Sequence, residues 1–591
     1  MKLSDYVIDF VKQQGVSYVF EFIGGAIAHL LDSVAKRDDI ECISVRHEQA
    51  AAFAAEAYAR LNGKLGVAMA TSGPGALNLV TGIGSCFFDS VPCLFITGQV
   101  NTYEYKFDKP VRQIGFQETD IISVVKSLTK YSEMVLEPQK IRYHLEKAVF
   151  FAQTGRPGPV LLDIPMNLQR DNVDPDQLES FYDSQEYQDL IKEQQTAVVS
   201  DNQIDKVLTL LNESKRPIVL VGGGVRIARA QDALKQFVNI TGIPVVSSLM
   251  GLDSIPHTHK EFYGLIGSYG NRYSNLALAN CDLLIILGSR LDTRQTGTRP
   301  DTFGRAAVKI HVDIDELELN AKVTVDLAIH SNVSDFLEKL NQKIDNSYSL
   351  DLNEWYQVIE NYKQKYPTRG NVHEEQIDPN IFIEELSDLS NEGDVICLDV
   401  GQHQMWASQS FKIKENQRLL NSGGMGAMGF ALPAAIGATL SSGQRAIVIA
   451  GDGGIQLNIQ EFDTIVRYGL PIKIFVMNNN CLGMVRQFQD LYFEGRKQST
   501  VYTAPRLNDI ATAYGVPAYH ITKSTEVTEV LKKVLDSEGP SFINVSLIQD
   551  TAVNPKLVVN RPIEDMSPHL EREELKEIML IDLVEEMEVP K

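Results

Sequence analysis

Gly451-Asp452-Gly453, followed after twenty-four further residues by the pair Asn478-Asn479, supplies residue types that hold one Mg²⁺ through oxygen. Mg²⁺ demands near-octahedral oxygen coordination and bridges phosphates, so the Asp452 carboxylate, the Asn479 carboxamide oxygen and the backbone carbonyl of Cys481 form a suitable set. Such a set binds a diphosphate. Gly453 and Gly454 leave room for phosphate oxygens to approach backbone N–H groups. The elements that must position these ligands can be read on either side. AIVIA, residues 446–450, reads as a buried parallel strand, and PIKIFVMNN, residues 471–479, as the next one. Asp452 and Asn479 then stand at the carboxyl ends of neighbouring strands, the edge at which open α/β sheets bind ligands. A bare Gly-Asp-Gly is ordinarily a turn; the two strands and the paired asparagines make it a site.

The whole chain repeats this rhythm of apolar strand runs and helical patterns. With 591 residues it has room for three domains, and 44% apolar residues make it globular. The expected fold class is α/β, with three doubly wound parallel-sheet domains. The first, 1–168, carries KLGVAMA, VPCLFITG and PVLLDIP; the second, 203–345, carries RPIVLVGGG, IPVVSSL, CDLLIILG and AVKIHVDID; the third, 379–550, runs from DVICLDVG to PSFINVSLI. Polar stretches at 169–202 and 346–378 read as linkers, and 551–591 as an acidic C-terminal tail. The first and third blocks could be distant copies of one architecture. A net charge of −22 argues against a nucleic-acid partner. No basic-then-apolar leader opens the chain and no apolar run approaches membrane-spanning length, so a cytoplasmic protein with no membrane partner is expected. The six cysteines form no CxxC pair and mostly lie in apolar runs, as reduced core thiols do.

The diphosphate motif matches the thiamine diphosphate signature, and the chain resembles one branch of that superfamily, the acetolactate (acetohydroxyacid) synthases. The segments that carry the resemblance run almost end to end: VRHEQAAAFAAEAYAR from Val45, ATSGPGALNLVTGI from Ala70, GFQETD from Gly115, GRPGPVLLDIP from Gly155, SLMGL from Ser248, GQHQMWA from Gly401 and SGGMGAMGFALPAAIGA from Ser422. The resemblance implies that Glu48 is the catalytic carboxyl that presses on the aminopyrimidine ring and drives its imino tautomer, which removes the thiazolium proton. An apolar surrounding such as AAAFAAEAYAR favours a protonated carboxyl, as hydrogen-bond donation requires, although by residue type alone a Glu at a helix start is a cap. His47 could orient substrate or serve the structure, and Glu56 reads as an ion-pair or packing residue. Gly401, Gln402 and His403 correspond to the loop that meets the diphosphate, with Gly451, Asp452, Gly453, Gly454 and Asn479 opposite. Gly426 corresponds to the residue whose carbonyl accepts from the pyrimidine amino group. Met428 wedges beneath the ring, and Met484 lies beside the thiazolium.

The resemblance also implies FAD across the middle domain, touched by Arg156, the turn Gly222-Gly223-Gly224, Ser248-Leu249-Met250, Gly267-Ser268-Tyr269, Ser289-Arg290 with Asp292 and Arg294, and Asp313-Ile314. The glycine triplet is not a GxGxxG fingerprint, so a nicotinamide dehydrogenase is disfavoured. Two departures bear on this cofactor: Met166 stands where the family has Lys, and Asn332 where it has Asp. Because the reaction is not a redox one, flavin would be architectural. For substrate, Gly25, Phe116, Gln117, Arg294, Val485 and Phe488 match pocket positions, with Arg294 meeting an acceptor carboxylate. Phe488 replaces the family's Trp, Thr293 its Asp and Phe22-Ile23 its Tyr-Pro, which leaves the acceptor open. The leading expectation is a carboligase that forms acetolactate from pyruvate and a second 2-oxo acid. Alternatives are acetyl transfer to another ketone such as a nucleotide-linked keto sugar, and a 2-oxo acid decarboxylase or oxidase; a binding protein derived from an enzyme is disfavoured by the retained Glu48, Asp452 and Asn479. In the family one subunit supplies the pyrimidine half of the site and another the diphosphate half, so a homodimer or homotetramer is expected, with a regulatory subunit as a possible partner.

Overall fold

A computed structural model describes residues 1–193, 198–344, 347–370 and 373–584. The apolar runs form three sheets of six strands each, with every neighbouring pair parallel. The first contains β1 (Tyr18–Phe22), β2 (Glu41–Ser44), β3 (Gly66–Ala70), β4 (Cys93–Gln99), β5 (Tyr131–Met134) and β6 (Val160–Pro165), in the order β2-β1-β3-β4-β6-β5. The second contains β7 (Pro217–Val221), β8 (Val245–Ser247), β9 (Phe262–Leu265), β10 (Leu283–Leu287), β11 (Val308–Asp313) and β12 (Leu327–His330), ordered β12-β11-β10-β7-β8-β9. The third contains β13 (Val395–Leu398), β14 (Arg418–Asn421), β15 (Ala446–Gly451), β16 (Ile472–Asn478), β17 (Ala518–Ile521) and β18 (Ser541–Ser546), ordered β14-β13-β15-β16-β18-β17.

The first and third sheets share one strand order, as copies of one architecture would. Read from its own first strand, the second sheet runs 3-2-1-4-5-6, the order that binds dinucleotides where the direction of winding reverses, between β7 and β10. Strands buried on both faces explain why continuous apolar runs marked them.

A single core joins the outer blocks. Helix Glu48–Asn62 of the first and helix Ala431–Ser442 of the third pack face to face through alanines, in one cluster with Ala68, Val448 and Val476. The polar stretches are less detached than their composition suggests. Within 346–378, helix Asn353–Lys365 buries Trp355, whose indole N–H donates to the Pro217 carbonyl at 3.1 Å. Within 169–202, Phe181 is buried. The acidic stretch after residue 550 buries Val553, Ile563 and Met566, with Ile563 in the second block's core cluster, because apolar residues are interleaved among its charges; residues 585–591 lie outside the described residues. Among the described residues no helix is long and apolar enough to cross a membrane. All six cysteines are free, five of them buried.

Candidate active site

Register places Gly451 at the end of β15 beside Met477 of β16, so Asp452 and Asn479 emerge together from adjacent strands. Asp452 is buried, and its Oδ2 meets no hydrogen-bond donor. Burial pushes this carboxyl up to about 6, against the pull of the Tyr502 hydroxyl and the backbone N–H groups of Asn479 and Asn480. A bound cation would reverse that shift by favouring the charged form. Asn479 Nδ2 donates to Gln402 Oε1 at 3.0 Å, and its Oδ1 accepts from the Cys481 N–H at 3.3 Å, which turns the carboxamide oxygen along the loop. A Cβ at Gly483 would lie 1.8 Å from Gln402 Oε1, so any side chain there would displace the Gln402 carboxamide. His403 sits between the two glycine ends: a Cβ at Gly401 would lie 2.5 Å from its Cε1, and one at Gly451 2.9 Å from its Nδ1. Its Nε2 is buried without a partner, and burial lowers the imidazole to about 3, so the ring is neutral. Among the described residues no three His, Cys, Asp or Glu side chains converge on a metal position. One carboxylate, a carboxamide and a carbonyl with an orphaned buried oxygen fit Mg²⁺ and a diphosphate, and do not fit a soft or all-carboxylate metal site.

Glu48 opens helix Glu48–Asn62 but does not cap it; His47 does, its Nδ1 accepting from the Gln49 N–H at 3.2 Å. Glu48 is buried, and its Oε2 accepts from Asn78 Nδ2 at 2.9 Å, while Oε1 lies 3.1 Å from where a Gly75 Cβ would stand. Among the described residues no hydrogen bond joins Glu48 to Asp452 or Asn479. Glu56 is both an ion-pair and a packing residue: fully buried, 3.3 Å from Arg60, and pushed up to about 8 by burial.

Between these two regions lies the loop after β14, and several side chains hold it. Arg60 Nη1 donates to the Asn421 carbonyl at 2.7 Å, Ser85 and Ser422 share a hydroxyl contact at 3.1 Å, and the Asp89 carboxylate accepts from the N–H groups of Gly423 and Gly424 at 2.8 and 2.7 Å. From the middle block, Met250 Sδ lies 2.3 Å from the Cβ position of Gly423, and Arg290 Nη2 3.2 Å from that of Gly424. The loop continues to Gly426, whose φ of +65° favours glycine, and to Met428, whose Cε stands 3.7 Å from the Cβ position of Gly453. Asp399, at the end of β13, closes it by accepting from the Gly429 N–H at 2.9 Å.

A cavity of about 900 Å³ opens between the first and middle blocks at the reversal between β7 and β10. Arg156, Gly223, Gly224, Ser248, Leu249, Met250, Tyr269, Ser289, Arg290, Asp292, Arg294, Asp313 and Ile314 all line it. Gly222, Gly267 and Ser268 do not. Gly222 packs under Gly288, and Ser268 N–H donates to the Arg294 carbonyl at 2.7 Å. Asn332 faces the cavity; Met166 is not among its lining residues.

The substrate positions are more open. Gly25 has free space around it, Phe116 is 85% exposed, and Gln117 is held at a φ of +65° with its carbonyl 2.9 Å from the Gly73 Cβ position. Met484, Val485 and Phe488 share helix Gly483–Tyr492; Met484 packs on the third block's core, while Val485 and Phe488 are exposed.

The sequence matches the thiamine pyrophosphate enzyme N-terminal TPP binding domain over residues 1–124, the central domain over 204–340 and the C-terminal TPP binding domain over 399–545. It is 37% identical over 559 residues to the chloroplastic acetolactate synthase of Arabidopsis thaliana, covering 92% of this chain and 81% of that one. It is 35% identical over 570 residues to the acetolactate synthase large subunit of Lactococcus lactis subsp. lactis (strain IL1403), covering 95% of each. The chain belongs to the acetolactate synthase family. It therefore binds thiamine diphosphate, with a binding domain at each end of the chain. Within this family frame, three residues escaped sequence reasoning. Asp399 was signalled only by ending the strand run DVICLDVG. Tyr502, whose hydroxyl is buried beside Asp452 and 2.9 Å from the Gly453 Cβ position, carried no motif. Asp89 lay in the ordinary-looking run CFFDSVP.

Proposed function

We propose that this acetolactate synthase family chain is a Mg²⁺-dependent carboligase that decarboxylates pyruvate and joins the two-carbon unit to a second 2-oxo acid, forming acetolactate. The observation that carries the reading is the orphaned, buried Asp452 oxygen at the β15 edge, beside Asn479 and a neutral His403. Asp452, Asn479 and the Cys481 carbonyl would hold Mg²⁺, and Gln402 and His403 the diphosphate. Bound thiamine diphosphate supplies an electron sink for the carbanion left when CO₂ departs. Glu48 has one oxygen committed to Asn78, which leaves Oε1 to carry a proton towards the aminopyrimidine ring. Met428 and Gly426 would shape the floor beneath the pyrimidine ring. Apolar side chains around the reacting carboxylate would favour loss of its charge.

FAD in a non-redox role suits the cavity. Its volume lies near the top of the ~300–1,000 Å³ typical of ligand sites, and its sheet has the dinucleotide-binding order. A homodimer is supported by the exposed Phe116, Ile23 and Phe107, and by the separation of Glu48's hydrogen bonds from those of Asp452. A second reading, transfer to a bulkier ketone, is favoured by the exposure of Phe488 and Val485 at the acceptor side. The purified protein incubated with pyruvate, Mg²⁺ and thiamine diphosphate should yield acetolactate and CO₂, and its extract should show a flavin absorption spectrum. Release of acetaldehyde alone would sink the carboligase reading, and a colourless, fully active protein the flavin.

A further inference from the structure

Lys556 lies in the stretch after residue 550 for which no chemistry was expected. It forms a short strand, Lys556–Leu557, anchored where the Leu557 N–H donates to the Ser268 carbonyl at 2.7 Å. The residue is only 6% exposed, yet its ammonium meets no carboxylate and no hydrogen-bond acceptor among the described residues. Three aromatic rings surround it instead: Phe488 at 5.6 Å, Tyr492 at 5.6 Å and Tyr269 at 5.9 Å from Nζ to ring centroid. Phe488 and Tyr492 lie against each other at 4.6 Å, on the helix that also bears Met484 and Val485, and Tyr269 lines the cavity with Arg294.

Ring faces attract a cation but accept no conventional hydrogen bond, so three N–H donors remain unmet. A largely enclosed cation without a counter-charge is costly, and an arriving anion would offset that cost. Burial lowers the Lys556 pKa, with no opposing carboxylate, as such a position requires. We propose that Lys556 is a second anion-recognising residue of the acceptor pocket, in addition to Arg294, its ammonium receiving the carboxylate of a 2-oxo acid acceptor above the Phe488 ring. The proposal rests on the carboligase reading. It adds a residue that discriminates anionic oxo acids from neutral carbonyl compounds.

The test uses holoenzyme supplied with thiamine diphosphate, Mg²⁺ and FAD, pyruvate as donor, and either 2-oxobutyrate or acetaldehyde as acceptor. Loss of one charge-assisted contact should lower the kcat/KM ratio of 2-oxobutyrate to acetaldehyde about tenfold or more in Lys556→Met, and Lys556→Arg should recover most of it. An unchanged ratio overturns the proposal, whether Lys556→Met is fully active or loses both acceptors equally through a lowered thermal midpoint. Wild-type protein that makes no ligation product with either acceptor would instead remove the carboligase reading beneath it.

Discussion

Asp452 keeps one carboxylate oxygen without a partner in a buried setting, as the proposed Mg²⁺ site requires. Asp452→Ala should abolish activity and the Mg²⁺ dependence of thiamine diphosphate binding, followed by titration calorimetry; binding that stays Mg²⁺-dependent would refute the assignment. Glu48→Gln should leave the cofactor bound but slow hydrogen–deuterium exchange at its thiazolium carbon by ~10²-fold or more, the scale of a lost general acid–base group. The ring of Phe488 borders the Lys556 ammonium and is itself part-exposed. A larger ring adds apolar area for an extra methyl group, worth about 1–3 kcal/mol, so Phe488→Trp should shift products from acetolactate towards acetohydroxybutyrate when both oxo acids compete. At this scale motif residues such as Asp452 and Asn479 could be read from the sequence because their spacing matches two strand ends. Lys556 and Asp89 could not, since a lone Lys or Asp gains its meaning only from partners hundreds of residues away.

The helices Glu48–Asn62 and Ala431–Ser442 approach so closely that a Cβ at Gly437 would stand 1.9 Å from the Ala54 carbonyl oxygen. Backbone cannot yield as a flexible side chain can. Gly437→Ala should destabilise the protein by about 1–3 kcal/mol or more, the scale of core overpacking, read as a lower midpoint in urea. The alanine-rich run after Glu48 announced a helix, but not that it would pack on another across domains. Strands were plain for the opposite reason: burial on both faces writes itself into a local run such as AIVIA or LLIIL. The stretch 551–584 was opaque because its buried Val553, Ile563 and Met566 are spaced among charges without a helical or strand period.

Across the whole molecule, several ionisable groups are folded away from water. Burial holds Asp163 and Glu461 up to about 7 and Glu56 up to about 8. A carboxyl raised above its ordinary value near ~4 stabilises the fold while protonated, and that contribution is lost as pH rises through the folded value. His144, His257 and His311, lowered to about 4, act in the opposite sense, but their contribution is lost only below pH ~6.5. Lys130 and Lys473, lowered to about 8, add stability only above that pH. Between pH 6.5 and 8 the carboxyls act alone, so the thermal midpoint of the cofactor-free protein should fall by a few degrees; a flat or rising profile would contradict their burial.

The loop Asn421–Gly424 is gripped by Arg60, Ser85 and Asp89 from one block and touched by Met250 and Arg290 from another. Its two glycine amides are tied to a carboxylate that belongs to a different sheet, so neither can be released by fraying within its own domain. Their solvent exchange becomes a clock for separation of the blocks: Gly423 and Gly424 should exchange together, at a rate set by how often the first and third domains part.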